Sequence, residues 1–281
     1  MNQNDILALE KKAREIRETV LEMCCNAGTG HVTSAFSCVE IMVALYYGRI
    51  LRYNSRDPTW KDRDRFIMSK GQASVLLYPI LADVGYFPKE YIEGFCKSDG
   101  RIGVHLQHDV PGAEITSGSL GHGFGIATGM ALTAKQDRKL HLIYTLLGDG
   151  ECYEGSIWEA AMFAGYNRLN NLIAIIDRNH LCVTNFTENM LELEPFEEKW
   201  RSFGWNVVSI NGHSFKEILR VLHGIRSRKS AKPLAVIADT VKGEGVSFLC
   251  YDPLWHGIPP AGKDSECACE ELKRERLIHE R

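Results

Sequence analysis

Two short polar turns in this sequence carry residue types that bind a divalent cation. Asp149 lies between two glycines directly after an apolar run, and Asn179 follows a second apolar run 30 positions later. Carboxylate and amide oxygens suit Mg²⁺, which also takes phosphate and water oxygens. The flanking Gly148 and Gly150 let the backbone approach a phosphate, and the next helix start offers free N–H groups. The pattern predicts a site for Mg²⁺ and a phosphate group.

Each turn taken alone has a simpler explanation. An Asp-Gly pair after a strand is a common turn, and Arg178-Asn179 after a strand can cap a helix. Consecutive strands of a β-α-β unit commonly end at the same edge of a sheet, however. Ligands of parallel α/β sheets bind in the crevice outside that edge. The two turns together therefore favour a binding site.

Apolar strands alternate with amphipathic helices along most of the chain. This pattern predicts an α/β fold with a mostly parallel sheet and helices on both faces. Strands are predicted over 65–69, 141–147, 172–177, 205–210 and 234–240. Helices are predicted over 5–27, 39–47, 72–84, 158–166, 196–203 and 215–225, with a further helix after the Gly-rich passage 118–125.

Local signals add detail to two of these helices. Ser37 and Glu40 stand three positions apart before an apolar run, which predicts a capping box at the start of the helix 39–47. Three large residues farther along are interpreted as helix core: Trp158, Met162 and Phe163.

The bulk composition is that of an ordinary globular protein, with 44% hydrophobic and 25% charged residues among 281. The formal net charge of −3 gives no electrostatic reason to expect nucleic acid or an anionic membrane as partner. No signal peptide is apparent, and the nine cysteines show no paired C-x-x-C spacing, so a reducing cytoplasm is predicted. One domain over 1–260 with a charged, peripheral tail over 261–281 is the simplest organisation.

The passage around the first turn resembles a family motif. The sequence from Gly148 to Ala160, followed by Asp177-x-Asn179, is similar to the thiamine diphosphate motif of transketolases. Further islands follow the family's order: Gly30-His31, Ser69-Lys70-Gly71-Gln72-Ala73, Thr116-x-Gly118-Ser-Leu120-Gly121, Lys242-Gly243 and Trp255-His256-Gly257. The resemblance implies the thiamine diphosphate-binding fold and transfer of a two-carbon ketol unit from a ketose (phosphate) donor to an aldose acceptor.

The resemblance also implies roles for individual residues. Mg²⁺ would be held by Asp149, Asn179 and the main-chain carbonyl of Leu181. The implied cofactor-binding residues are Lys70, Gly118, Leu120, Gly148, Asp149, Gly150, Glu151, Asn179, Lys242 and His256. The implied catalytic residues are His31, Gln72, His105, Glu154 and His256. Glu154 would lie at a subunit interface, and the histidines would face the sugar or the diphosphate, where imidazoles exchange protons near neutral pH.

Two positions depart from the family pattern. Gln72 stands where transketolases usually have histidine, and His122 replaces a common glutamine. Glutamine can hydrogen-bond a hydroxyl but carries no proton at neutral pH. The acceptor sugar therefore stays open.

The resemblance covers only the N-terminal third to half of full-length transketolases, whose next domain binds the aminopyrimidine. We therefore expect a separate C-terminal, pyrimidine-binding partner subunit, an α₂β₂ assembly and sugar phosphate substrates. Two alternatives stay open: a decarboxylating thiamine diphosphate enzyme, such as a deoxyxylulose-phosphate synthase, and a non-catalytic scaffold subunit. The spacing of Lys242-Gly243 and Trp255-His256-Gly257 favours transketolase, and the retained Asp149 and Asn179 count against a scaffold.

Overall fold

Five parallel strands form the central sheet in the computed structural model, which describes residues 3–279. Along the chain, the strands are β1 Arg65–Met68, β2 Ile143–Gly148, β3 Leu172–Arg178, β4 Leu181–Cys182, β5 Asn185–Phe186, β6 Asn206–Asn211 and β7 Leu234–Asp239. The sheet has the order β1-β2-β3-β7-β6, while β4 and β5 form a separate antiparallel pair. The predicted α/β fold with a mostly parallel sheet is confirmed.

Helices cover both faces of this sheet. They are α1 Gln3–Ala27, α2 Val32–Phe36, α3 Val39–Tyr47, α4 Ser74–Asp83, α5 His122–Gln136, α6 Gly155–Tyr166, α7 Thr187–Met190, α8 Phe196–Ser202, α9 Phe215–His223 and α10 Lys263–His279. One core lies under α1, α3, α4 and α9, and the other under α5, α6 and α8, because alternate strand residues point to opposite faces. Among residues 3–279, no helix is long and apolar enough to cross a bilayer.

The register between β2 and β3 decides where the two polar turns meet. Gly148 pairs with Asp177, so the two strands end side by side. Asp149 follows directly after β2, and Asn179 directly after β3. The turns that sequence analysis singled out therefore lie at one edge of the sheet.

The capping box predicted for α3 is wrong, although the helix has the predicted bounds. The residue that caps α3 is Cys38, which makes no side-chain cap hydrogen bond. Ser37 Oγ instead donates to Asp177 at 2.5 Å, and Glu40 pairs with Arg17 at 2.6 Å. A cap contributes about 1 kcal/mol, whereas an unpartnered buried charge costs several times more, so the tertiary partners prevail.

The prediction that Met162 and Phe163 are helix core is also wrong. Met162 is 55% exposed and Phe163 is 46% exposed. Helix α6 instead buries Ile157, Ala161 and Ala164 against the sheet. Because α6 has apolar residues on more than one face, its pattern could not indicate which face meets the sheet.

The segment predicted as a charged, peripheral tail contains a packed helix. Within α10, Ala268 and Leu272 are fully buried in the core that also holds α1. Glu271 accepts hydrogen bonds from the backbone N–H and the hydroxyl of Ser247, at 2.6 and 2.8 Å. Two apolar residues four positions apart are enough to seat a helix whose other residues are mostly charged. Peripheral placement is therefore wrong for this part of the segment, and the boundary at residue 260 stays a prediction.

Candidate functional site

A cavity lies at the carboxyl edge of the sheet, between the ends of the strands and the loops that follow them. The structure brings most of the predicted site residues together in its lining: Lys70, Gln72, Leu120, Gly148, Asp149, Gly150, Glu151, Asn179, Leu181, Lys242 and His256. Four predicted residues are not part of that lining: His31, His105, Gly118 and Glu154.

Asp149 is a buried carboxylate that is paired with Arg178, Nη1 to Oδ2 at 3.4 Å. Its Oδ1 accepts a hydrogen bond from the Gly150 N–H at 2.8 Å, and its Oδ2 accepts one from the His180 N–H at 2.7 Å. Burial raises the pKa of Asp149, the nearby Asp177 raises it further, and Arg178 only partly opposes them. A cation bound here would relieve that cost.

Asn179 has a side-chain amide whose orientation is fixed by two contacts. Its Nδ2 donates to Asp177 Oδ2 at 3.3 Å, and its Oδ1 accepts from the Leu181 N–H at 3.1 Å. The amide oxygen is thereby held beside Leu181, whose main-chain carbonyl the family resemblance implies as a Mg²⁺ ligand. Among the side chains of residues 3–274, no three His, Cys, Asp or Glu are grouped to hold a metal. The implied ligand set contains one carboxylate, that of Asp149.

Asp177 is a buried acid to which sequence analysis gave no role. Its carboxylate pairs with Lys70 Nζ, and it accepts hydrogen bonds from Ser37 and Thr240. Burial alone would raise the pKa of Asp177, but the Lys70 ammonium and these hydroxyls outweigh burial and hold it below its ordinary value. Its position before Asn179 in the strand-end motif was the available signal. Its partners come from distant segments.

Glu151 lines the cavity, but its carboxylate is hydrogen-bonded to other groups of the protein. It accepts hydrogen bonds from the Ser69 hydroxyl at 2.5 Å, the Gly121 N–H at 3.0 Å and the Gly148 N–H at 3.1 Å. These contacts tie the Gly-rich turn, the end of β1 and the end of β2 together. The side chain therefore shapes the backbone around the site.

Three predicted histidines form a cluster beside the cavity. The ring centroid of His31 lies 5.7 Å from that of His105 and 5.3 Å from that of His256. Gly118, with φ +137°, packs against the His105 ring, and a side chain there would be strained and crowded. His31 Nδ1 is buried without a hydrogen-bond partner among the described residues, which marks it as a place for a ligand atom.

Burial and neighbouring charges keep two histidines of the cluster neutral. Burial, with help from His105 and two lysines, lowers the pKa of His31 to about 4. Burial and the adjacent Lys242 lower the pKa of His256 to about 3, and His256 Nδ1 lies 2.9 Å from Lys242 Nζ. Burial and Lys70 lower the pKa of Lys242 to about 8. Lys70 is paired with Asp177, whereas the contact of the Lys242 ammonium is the neutral His256 ring, so Lys242 is the cation that favours an anion here.

We expect His31 and His256 to stay neutral in the ligand-free chain far below pH 6.5. Titration of the imidazole signals by NMR should give midpoints near pH 4 and pH 3. Both pKa values are lower in the folded chain than the ordinary 6.5, so the folded form binds fewer protons. The resulting stability is fully present above pH 6.5 and is lost as the pH falls toward 4. Lys242→Met should raise both midpoints, and midpoints at or above 6.5 would contradict this account.

Two remaining predicted residues lie at the margin of the site. Gln72 is half-buried and lines the cavity. Glu154 is exposed at the start of α6, next to the Gly-rich turn, and makes no cap hydrogen bond. Beyond it, α5 and α6 present exposed apolar side chains to the surface: Ile126, Met162, Phe163 and Tyr166.

Comparison with known proteins gives a family match and several relatives. A family described as "Transketolase, thiamine diphosphate binding domain" matches residues 9–269. The chain is 39% identical over 268 residues to a "6-deoxy-6-sulfo-D-fructose transketolase subunit SqwG" of Clostridium sp. (strain MSTE9), covering 95% of this chain and 97% of that one. It is also 39% identical over 269 residues to one of the apulose-4-phosphate transketolase subunits, that of Actinobacillus succinogenes, covering 95% and 96%.

Solved structures give the same fold. The transketolase of Campylobacter jejuni superposes with a TM-score of 0.89 at 32% sequence identity. The match covers 97% of this chain and 43% of that one. This chain therefore spans less than half the length of the solved enzyme, but nearly the full length of the two subunits.

Proposed function

This chain belongs to the transketolase family, and on that premise we propose that it is the cofactor-holding N-terminal subunit of a split transketolase. The observation that carries the proposal is the convergence of Asp149 and Asn179 on one cavity beside Lys242. Relatives of matching length are named as transketolase subunits, which supports a chain that works with a second polypeptide. The proposed reaction moves a two-carbon ketol unit from a ketose donor, phosphorylated or otherwise anionic, to an aldose acceptor.

The cavity fits thiamine diphosphate with Mg²⁺ by the chemistry of its donors. Asp149, Asn179 and the Leu181 carbonyl would provide oxygen ligands, and the diphosphate and water would complete the coordination of Mg²⁺. Lys242 would face the diphosphate, because a buried ammonium beside a second lysine gains from an anion. The remaining implied contacts, at Gly118, Leu120, Gly148 and Gly150, would be made mostly by backbone.

The histidines would handle protons at the sugar. When bound, thiamine diphosphate supplies the electron sink for breaking a carbon–carbon bond. His31 Nδ1, buried and unpartnered among the described residues, is the atom to which we assign a ligand hydroxyl. His105 and His256 lie close enough to share that task, because a ring nitrogen of an imidazole can accept a hydroxyl's hydrogen bond. Gln72 would orient a hydroxyl without transferring its proton.

The proposed partner is a C-terminal, pyrimidine-binding transketolase subunit in an α₂β₂ assembly. The exposed apolar side chains of α5 and α6 are the surface that we assign to subunit contacts. Glu154, exposed at the start of α6, would lie in that contact. We also propose a cytoplasmic location, because the sequence has an odd number of cysteines without paired spacing.

Co-expression with a pyrimidine-binding subunit tests the proposal. The isolated chain should show no ketol transfer with thiamine diphosphate and Mg²⁺, whereas the co-purified complex should transfer a two-carbon unit between sugars. Full transfer by the isolated chain would refute the split organisation. Pyruvate consumption by the complex would instead indicate a decarboxylating enzyme. A complex that binds no cofactor in the presence of Mg²⁺ would indicate a scaffold.

A further inference from the structure

A buried charged cluster lies outside the cavity, on the far side of the turn that carries Lys242. Arg17 and Glu40 form a two-pronged ion pair, with Nη1–Oε1 at 2.6 Å and Nη2–Oε2 at 2.9 Å. His213, in the loop before α9, adds its Nδ1 at 2.9 Å from Glu40 Oε2. The carboxylate of Glu40 thus joins α1, α3 and the His213 loop.

This cluster contacts the turn on both sides of Lys242. The backbone N–H of Val241 donates to His213 Nε2 at 2.8 Å. The Nε of Arg17 donates to the Glu244 carbonyl at 3.1 Å. The turn is therefore fixed at two backbone points by side chains that do not line the cavity.

The Val241 contact determines which nitrogen of His213 carries the proton. A backbone N–H can only donate, so Nε2 must be the unprotonated nitrogen of the ring. The proton then resides on Nδ1, which donates to Glu40. A carboxylate that accepts a hydrogen bond from one ring nitrogen keeps the proton there, so the other ring nitrogen is left as an acceptor. His213 is therefore a rigid bridge between a buried carboxylate and the Lys242 turn.

Lys242 needs such support because its own position is unfavourable. Its side chain is almost completely buried, and the charge of Lys70 repels it. Without a ligand anion, both effects favour movement of the lysine toward water. A contact on the neighbouring backbone opposes that movement without occupying the cavity.

We propose that His213 is a positioning residue that, held by Glu40 and Arg17, keeps Lys242 in place to meet the anionic group of the cofactor. This inference rests on the proposed function, because that function gives Lys242 its diphosphate contact. His213 touches neither the cavity nor a reacting atom, so it acts through the Val241–Lys242 backbone.

Hydrogen exchange in the full chain without ligands tests whether His213 fixes the turn that carries Lys242. His213→Phe should speed exchange of the Val241 amide by about tenfold, as expected for the loss of one hydrogen bond. His213→Gln should restore part of the protection, because its carbonyl oxygen can accept that N–H. The matched control His223→Phe changes an exposed histidine in α9 and should have no effect there. An unchanged Val241 amide in His213→Phe would overturn the proposal.

The tautomer provides a test that needs no variant. Burial lowers the pKa of His213, but the Glu40 carboxylate outweighs burial and raises it. At a pH above that pKa, the ¹⁵N imidazole shifts of His213 in the unaltered chain should identify Nδ1 as protonated and Nε2 as bare. The opposite tautomer would overturn the proposal even if His213→Phe failed to fold.

Calorimetry with thiamine diphosphate and Mg²⁺ tests the connection to Lys242. His213→Phe should weaken binding by about tenfold in the parent chain and have no further effect in a Lys242→Met background. Equal losses in both backgrounds would show that His213 acts elsewhere and would overturn the proposal. Failure of the parent chain to bind would count against the proposed function instead, while the exchange result would still decide whether His213 fixes the turn.

Discussion

Replacement of Asp149 by alanine is expected to abolish Mg²⁺-dependent binding of thiamine diphosphate while the fold stays intact. Asp149 is the one carboxylate in the proposed ligand set, so its loss leaves only neutral protein oxygens for the ion. Loss of an outer-shell partner of a metal already lowers affinity by about 10–100-fold, and loss of this direct ligand should exceed that range. The fold should survive, because Arg178 keeps Glu188 and Glu194 as partners and the burial penalty on the charged form of Asp149 is removed.

The measurement is calorimetry with and without Mg²⁺, accompanied by thermal unfolding. Asp137→Ala is the matched control, since Asp137 is an exposed acid directly after α5, in the connection that leads to the start of β2. That variant should bind the cofactor as the parent chain does. Normal Mg²⁺ dependence in Asp149→Ala would overturn the assignment of the ion site.

Lys70→Met is expected to lower the free energy of unfolding by about 3–5 kcal/mol, the usual cost of removing one partner from a buried ion pair. It would leave the fully buried carboxylate of Asp177 without its main counter-charge. Lys12→Met is the control, because its partners Glu15 and Asp83 are partly exposed. That change should cost less than about 1 kcal/mol. Urea unfolding at neutral pH measures both, and equal losses would contradict the account.

The pH dependence of the Lys70→Met effect provides a second check. In the parent chain the pKa of Asp177 lies below the ordinary 3.8, so its contribution is present above pH 3.8 and is lost as the pH falls through the folded pKa. Without Lys70, burial raises that pKa, and protonation relieves the cost at a higher pH. The difference in stability between the two chains should therefore shrink on acidification.

The sequence predicted the sheet well where a signal was local, and it predicted that the two strand-end turns lie at one edge. Strand and helix patterns gave the α/β fold, and the strand-end turns located Asp149 and Asn179. Errors arose where a side chain's partner is far away in the sequence. Ser37 resembled a cap residue, yet it bonds Asp177, 140 positions away. No local pattern contains that information.

The sequence also could not show which apolar residues are exposed to solvent. Met162 and Phe163 match the composition of a core, but Ala161 and Ala164 occupy the positions that face the sheet. Which apolar face of α6 turns inward depends on how α5 and the strands pack. The histidine cluster posed a similar problem, because the ring geometry of His31, His105 and His256 is a property of the tertiary fold.

The wide separation of the three histidines along the chain has a consequence for biosynthesis. Contacts of such high sequence separation form late, because closing long loops costs entropy before any contact repays it. His256, which joins His31 in the cluster, lies 225 positions farther along the chain. The residues from Asp149 to Leu181 are synthesised before His256, although β3 must still pair with β7 to complete the sheet beside them. A chain cut short before residue 256 would therefore keep both strand-end turns and lack one ring of the histidine cluster.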